Sequence, residues 1–159
     1  MTLPDIDTFA RALRARQISA VEATDECLRR IAETNPALNA FILVSGDEAR
    51  RQAAELDREL SIGLDRGPLH GVPVSLKDLF DMEGTVTTAA SRVREGIVAR
   101  GDAVAVRRLR HAGAVIVGKT NLHEFALGPT SEDSAYGPPR QPHDVTRMTG
   151  GSSGWRGGP

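Results

Sequence analysis

The sequence predicts an α/β fold, a sheet layered with helices, on three observations. A helix signal at residues 102–113 runs directly into Ala114-Val115-Ile116-Val117, an unbroken apolar run suited to a strand buried on both faces. Residues 72–78 alternate apolar and other side chains with the period of two that a strand requires. Aromatic residues are few (four Phe, one Tyr, one Trp in 159 residues), so the core must be built from Ala, Val, Leu and Ile, as in α/β proteins rich in small side chains. At this length the chain is sized for one domain that buries roughly two-thirds of its unfolded surface.

Along the chain, Ile6, Phe9, Ala10 and Leu13 fall at i, i+3, i+4 and i+7, one apolar stripe of a short helix with arginines opposite. Ser19 and Glu22 form a capping box that opens a second helix, with Val21, Thr24, Leu28 and Ile31 as its buried face. Asn35-Pro36 is expected to end it, because a proline ring disfavours helical geometry in the preceding residue. Residues 40–44 have the length and composition of a strand. A third helix over about 47–60 turns Ala49, Ala53, Leu56 and Leu60 inward. Residues 61–71 read as a linker. In the next strand Val72, Val74 and Leu76 share one face, and Ser75 and Lys77 the other, with Asp78 opposite Lys77. Asp102 is expected to open the following helix and Gly113 to close it. From Gly128 onward the prolines predict mostly loop.

The balance of 20 Lys+Arg against 21 Asp+Glu, a formal charge of −1, predicts no global attraction to nucleic acid or to an anionic membrane. The single Cys27 has no internal disulfide partner. With neither a signal core nor an 18-residue apolar run, a cytoplasmic location is expected.

Several motifs must be weighed. Residues 113–120 (GAVIVGKT) satisfy the phosphate-loop spacing, but the interval between the glycines is a strand sequence where a flexible, amide-exposing loop is required. A helix cap followed by a core strand is the better reading. His70, His111, His123 and His143 lack partners at metal-ligand spacing, so no metal or other cofactor is expected. Cys27 reads as an inert helical thiol. In Gly150-Gly151-Ser152-Ser153-Gly154 the glycines leave both hydroxyls unobstructed, and such a tract is also a common linker. A serine hydroxyl needs a base, and a lysine serves if burial lowers its pKa. Lys77 at a strand end is the candidate, its plain alternative being a solvated charge.

Taken together, Gly67-Pro68-Leu69-His70-Gly71-Val72-Pro73-Val74-Ser75-Leu76-Lys77-Asp78, then Gly118-Lys119-Thr120-Asn121-Leu122-His123-Glu124-Phe125-Ala126, then Gly150-Gly151-Ser152-Ser153-Gly154 resemble the amidase signature family. The likeness runs from about residue 5 to Gly154. It implies the N-terminal part of an α/β/α fold with a mixed central sheet, divided as a helical region 1–60, a partial core 61–154 and an aberrant tail 155–159. It also implies hydrolysis of a carboxylic amide by a Ser–cis-Ser–Lys triad, with Lys77 as the base and Ser152 as the bridging serine on a cis peptide. The family's nucleophilic serine stands roughly two dozen positions further on, beyond the last residue here. The resemblance therefore implies an inactive fragment whose missing part would carry substrate choice, and the switch after Gly154 to Trp155-Arg156-Gly157-Gly158-Pro159 suggests a frameshift or stop. The partners implied are a small-molecule amide for the full-length family, and self-association or a complementing C-terminal chain for the fragment, with no direct nucleic-acid or membrane contact. The strand at 114–117 is expected to lack neighbours. The A subunit of a tRNA-dependent amidotransferase shares the three blocks. An acidic residue is expected there near His123, so a stand-alone amidase is favoured.

Overall fold

The computed structural model describes residues 5–154, so the expected tail 155–159 lies outside the described residues. Helix α1 (Ile6–Arg14) starts where the Asp5 carboxylate accepts the Thr8 amide at 2.8 Å. Phe9, Ala10 and Leu13 are buried, whereas Ile6, in the first turn, remains 49% exposed, so the expected stripe is one residue shorter. Helix α2 (Ala20–Leu38) opens on the capping box: Ser19 Oγ accepts from Glu22 N at 3.1 Å, and the Glu22 carboxylate accepts from Ser19 N at 2.8 Å. Thr24 and Leu28 are buried, with Val21 and Ile31 packed partly buried against the same core.

The proline does not end α2. Pro36 lies in the last turn, where its missing N–H removes one bond, and the helix closes at Asn39 in the left-handed region (φ 49°), whose amide donates to Asn35 O at 2.7 Å. Asn35 offsets its unfavourable position: its side chain accepts from Phe41 N at 2.8 Å and donates to Phe41 O at 3.2 Å, steering the chain into β1 (Phe41–Val44). Helix α3 (Gly46–Ser61) follows, with Ala49, Ala53 and Leu56 buried and Leu60 packed at the margin.

Strand β2 (Pro73–Lys77), helix α4 (Val104–His111) and strand β3 (Val115–Thr120) complete the core. Asp102 does not cap α4. Its carboxylate accepts from Glu83 N at 2.8 Å and pairs with Arg110 at 3.0 Å, which leaves Ala103 at the N-cap without a side-chain bond. Gly113 (φ 83°) does close the helix, in a conformation that favours glycine.

The sheet is mixed, in the order β1-β3-β2, with β1 antiparallel and β2 parallel to β3. Strand β3, expected to lack neighbours, is instead the central strand, buried along its whole length. One residue of β3 is extra between the pairs Val74–Ile116 and Ser75–Gly118. Val115 and Val117 join the core formed with α1, α2 and α3, while Ile116 joins Leu76, Met82 and Val106 of α4. Helices thus cover both faces of the sheet, the α/β/α layering of the expected fold class.

Residues 129–149 are mostly loop, with one short hairpin that the prolines do not signal. β4 (Arg140–Gln141) and β5 (Asp144–Met148) form an antiparallel hairpin. Pro142 sits in its turn, where a missing N–H is harmless, and Gln141 Oε1 accepts from Asp144 N at 3.2 Å. Residues 113–120 form helix cap and strand, with no phosphate cradle. Cys27 is half-buried, and burial pushes its thiol pKa up. His70 is buried, its Nε2 3.0 Å from Leu56 O and its Nδ1 accepting from Arg66 N at 3.1 Å. Among the described residues no His, Cys, Asp and Glu cluster could hold a metal, and no helix is long and apolar enough to cross a membrane.

Candidate active site

Parallel pairing with β3 sets the end of β2, and with it the place of Lys77, whose register partner is Thr120. The chain beyond β3 turns back past the same strand ends. Asn121 is buried and its amide is fully used: Nδ2 donates to Asn39 O at 3.0 Å and Gly137 O at 2.9 Å, and Oδ1 accepts from Leu122 N at 2.8 Å and Ser134 Oγ at 2.7 Å. A buried amide satisfied on every side fixes the backbone around it. That backbone receives the glycine-serine segment: His123 N donates to Ser152 O at 3.1 Å, Gly154 N donates to Asn121 O at 3.0 Å, and Leu122 bridges Ser153.

Ser152 is thereby brought to Lys77. The amine donates to Ser152 Oγ at 2.7 Å across 75 residues of sequence. The Gly151–Ser152 peptide is cis, in the geometry implied by the resemblance. Lys77 is half-buried, and burial alone holds its amine below the ordinary lysine value. A Cβ at Gly151 would lie 2.7 Å from the carbonyl carbon of Pro129, and one at Gly154 2.4 Å from Pro139 Cγ, so the glycines are required by close approach as much as by freedom of the backbone.

A loop braces the segment from its other side. Ser131, fully buried at φ 63°, donates from Oγ to Gly150 O at 3.0 Å. Its amide donates to His123 Nδ1 at 3.2 Å, while His123 Nε2 lies 3.1 Å from Asp133 Oδ2. The imidazole packs so closely on Gly128 that a Cβ there would be 2.1 Å from Cε1.

On the opposite face of the sheet from Lys77, Lys119 Nζ meets Asp78 Oδ1 at 2.5 Å, Thr87 Oγ1 at 2.8 Å and Val86 O at 3.0 Å. Asp78 does point away from Lys77, as the alternation requires. Sequence reasoning misses Lys119, Asn121, Ser131 and the role of His123. One signal was available: Lys77 and Lys119 are the only lysines among 20 basic residues, and a chain that uses arginine everywhere else has reason to keep an amine at those two places.

Comparison with known proteins bears on the family and the fold. The amidase family matches residues 22–157. The chain is 50% identical over 143 residues to the A subunit of the glutamyl-tRNA(Gln) amidotransferase of Thermobifida fusca, covering 90% of this chain and 29% of that protein. It is 47% identical to the corresponding protein of Acidothermus cellulolyticus, covering 92% and 29%. Among solved structures, the native peptide amidase of Stenotrophomonas maltophilia superposes with a TM-score of 0.86 at 39% identity, covering 94% of this chain and 32% of that one. A chain of a vestigial complex related to the origins of an s-triazine catabolic enzyme reaches a TM-score of 0.88 at 41% identity, covering 92% and 32%. The chain therefore spans about 30% of the length of these relatives. With the three sequence blocks, the mixed α/β/α sheet and a match over most of its residues, the chain belongs to the amidase family.

Proposed function

We propose that Lys77 and Ser152 are the base and the bridging serine of a Ser–cis-Ser–Lys amide hydrolase, and that the 159 residues by themselves are inactive because the nucleophilic serine is not among them. The observation that carries this reading is the 2.7 Å approach of the Lys77 amine to Ser152 Oγ, with burial acting on the amine in the direction a base needs. In the complete reaction the neutral amine accepts the Ser152 hydroxyl proton while Ser152 Oγ accepts the proton of the nucleophilic serine. That serine bonds to the amide carbonyl carbon, the proton passes to the amide nitrogen as the C–N bond breaks, and water then cleaves the acyl-enzyme. The nucleophile reaches the site from a segment or chain outside these residues. If that is a separate chain, residues 5–154 act as a complementing half that binds it.

A second reading, the corresponding part of a tRNA-dependent amidotransferase, is supported by the 44–50% identity to proteins of that name. On that reading the amide nitrogen is transferred instead of being released.

The test joins residues 1–154 to the C-terminal two-thirds of the 39% identical peptide amidase. The chimera is expected to hydrolyse simple amides, the 159-residue chain to do nothing, and Lys77→Ala or Ser152→Ala to lower kcat of the chimera by about a thousand-fold or more. Full activity in either variant overturns the assignment, and turnover by the 159 residues alone overturns the claim of inactivity.

A further inference from the structure

We propose that His123 is a positioning residue for Ser152: with Nδ1 of its ring as an acceptor it seats the loop that holds the far end of the glycine-serine segment, and so sets the approach of the Ser152 hydroxyl to Lys77. The proposal rests on the reading of Ser152 as the bridging serine given above.

His123 reaches the segment at both ends. Its backbone amide donates to Ser152 O at 3.1 Å. Its ring acts on the other end through one intermediary: Ser131 N donates to Nδ1 at 3.2 Å, and Ser131 Oγ donates to Gly150 O at 3.0 Å. The three bonds close a circuit around Gly150, Gly151 and Ser152, and Ser152 Oγ accepts from Lys77 Nζ at 2.7 Å. The Thr149 hydroxyl also donates to Gly150 O, at 2.9 Å, but it belongs to the adjacent residue and travels with the segment. Ser131 stands at φ 63°, a region that a serine keeps only when its surroundings enforce it, and the bond to the ring is one of those restraints. Gly150 (φ 76°) and Gly151 have no side chains to restrict the backbone once that end is released.

The bonding also fixes the state of the ring. A backbone N–H only donates, so Nδ1 is an unprotonated acceptor, and the ring proton sits on Nε2, facing Asp133 Oδ2 at 3.1 Å. Protonation of Nδ1 would set two donors against each other. The acidic groups about the ring are Asp133, whose side chain is 72% exposed, and Glu124 and Glu132, which follow His123 and Ser131 in sequence.

Lys77 and Lys119 are the only lysines, so the complete 159-residue chain labelled with 13C-lysine gives two side-chain spin systems by NMR, and the one that Ser152→Ala displaces reports the Lys77–Ser152 contact. At neutral pH, His123→Ala is expected to move that signal most of the way to its Ser152→Ala position. His123→Asn loses the same packing on Gly128 but keeps an oxygen acceptor one bond beyond Cγ, where Nδ1 stands, and is expected to restore the signal. Asp133→Ala keeps Nδ1 as an acceptor and is expected to leave it in place. An unmoved signal in His123→Ala, with native amide spectra, overturns the proposal. A His123→Asn signal displaced as far as that of His123→Ala also overturns it, since a histidine that served packing alone gives that result, and an equal displacement in Asp133→Ala assigns the effect to the ion pair instead.

Should His123→Ala fail to fold, the wild-type chain decides. Its Lys77 signal is expected to step as the pH falls through the titration of the His123 ring, followed by the ring's own signals. His123→Asn, which retains the three carboxylates and the other histidines, is expected to show no such step. A Lys77 signal that ignores the titration overturns the proposal, as does an equal step in His123→Asn or loss of the whole native spectrum at that step. Activity in the Ser152→Ala chimera overturns the catalytic reading and leaves this positional result as it is, so the two ideas fail separately.

Discussion

Lys77 and Ser152, 75 residues apart in sequence, meet at 2.7 Å between amine and hydroxyl at the end of strand β2. The half-buried amine is held below its ordinary value of 10.5 by burial, and that has a consequence for stability.

The folded chain binds a proton at Lys77 less readily than the unfolded chain. Stability contributed by this group therefore rises with pH, from the lowered folded value up to about 10.5, and is absent below that window. Lys77→Met is expected to be more stable than wild type at pH 7, with the advantage shrinking by pH 10. Urea unfolding of both proteins at the two pH values measures this, and a pH-independent difference would contradict it.

His123 and Asp133 are paired, yet the two substitutions are expected to differ. Asp133 is 72% exposed, so Asp133→Ala should cost less than about 1 kcal/mol. His123→Ala leaves the fully buried Ser131 amide without its acceptor and should cost about 1–3 kcal/mol. Denaturant midpoints rank the two, and equal losses would show that the loop is held by the ion pair.

Gly118 is pressed against β1: a Cβ there would lie 2.3 Å from Leu43 O and 3.2 Å from Val44 Cα, both backbone atoms that cannot rotate away. Gly118→Ala is expected to cost about 1–3 kcal/mol or more by forcing β1 off β3. Gly101→Ala, with nothing within 4 Å, is the control and should change stability by less than about 1 kcal/mol. Thermal or urea unfolding of the two variants separates close approach from the general cost of replacing glycine.

Ser19→Ala removes the acceptor of the Glu22 amide and should cost about 0.5–2 kcal/mol. Glu22→Ala is expected to cost less, since Ser19 N is exposed and water replaces the carboxylate. Circular dichroism during unfolding gives both values.

Legibility in the sequence followed the range of the interaction. The capping box at Ser19, the inward face of α3 and the buried run into β3 depend on neighbours a few residues away, and each is found as the pattern predicts. At Pro36 and Asp102 a local preference loses to a partner further off: the Asn35 side chain bonds to Phe41, and Asp102 accepts from Glu83 and pairs with Arg110. The β4–β5 hairpin is hidden by prolines that occupy its turn and approach. Lys119 is masked by a phosphate-loop spacing that the strand between the glycines rules out, although its value as one of two lysines was countable.

The sequence by itself determined the α/β class, the order of the main elements and, through its three motif blocks, the membership in the amidase family and the pairing of Lys77 with Ser152 as candidates. Side-chain periodicity, capping and glycine placement are local properties that a linear text carries. Tertiary structure alone decided that β3 is central with β1 and β2 on its two sides, that Asn121 and the loop from His123 to Asp133 hold the serine segment in place, and that Asp78 is matched by Lys119. Those relations join residues from about 10 to more than 80 positions apart, and no spacing rule specifies which face of a sheet two distant side chains will share until the strands between them are paired.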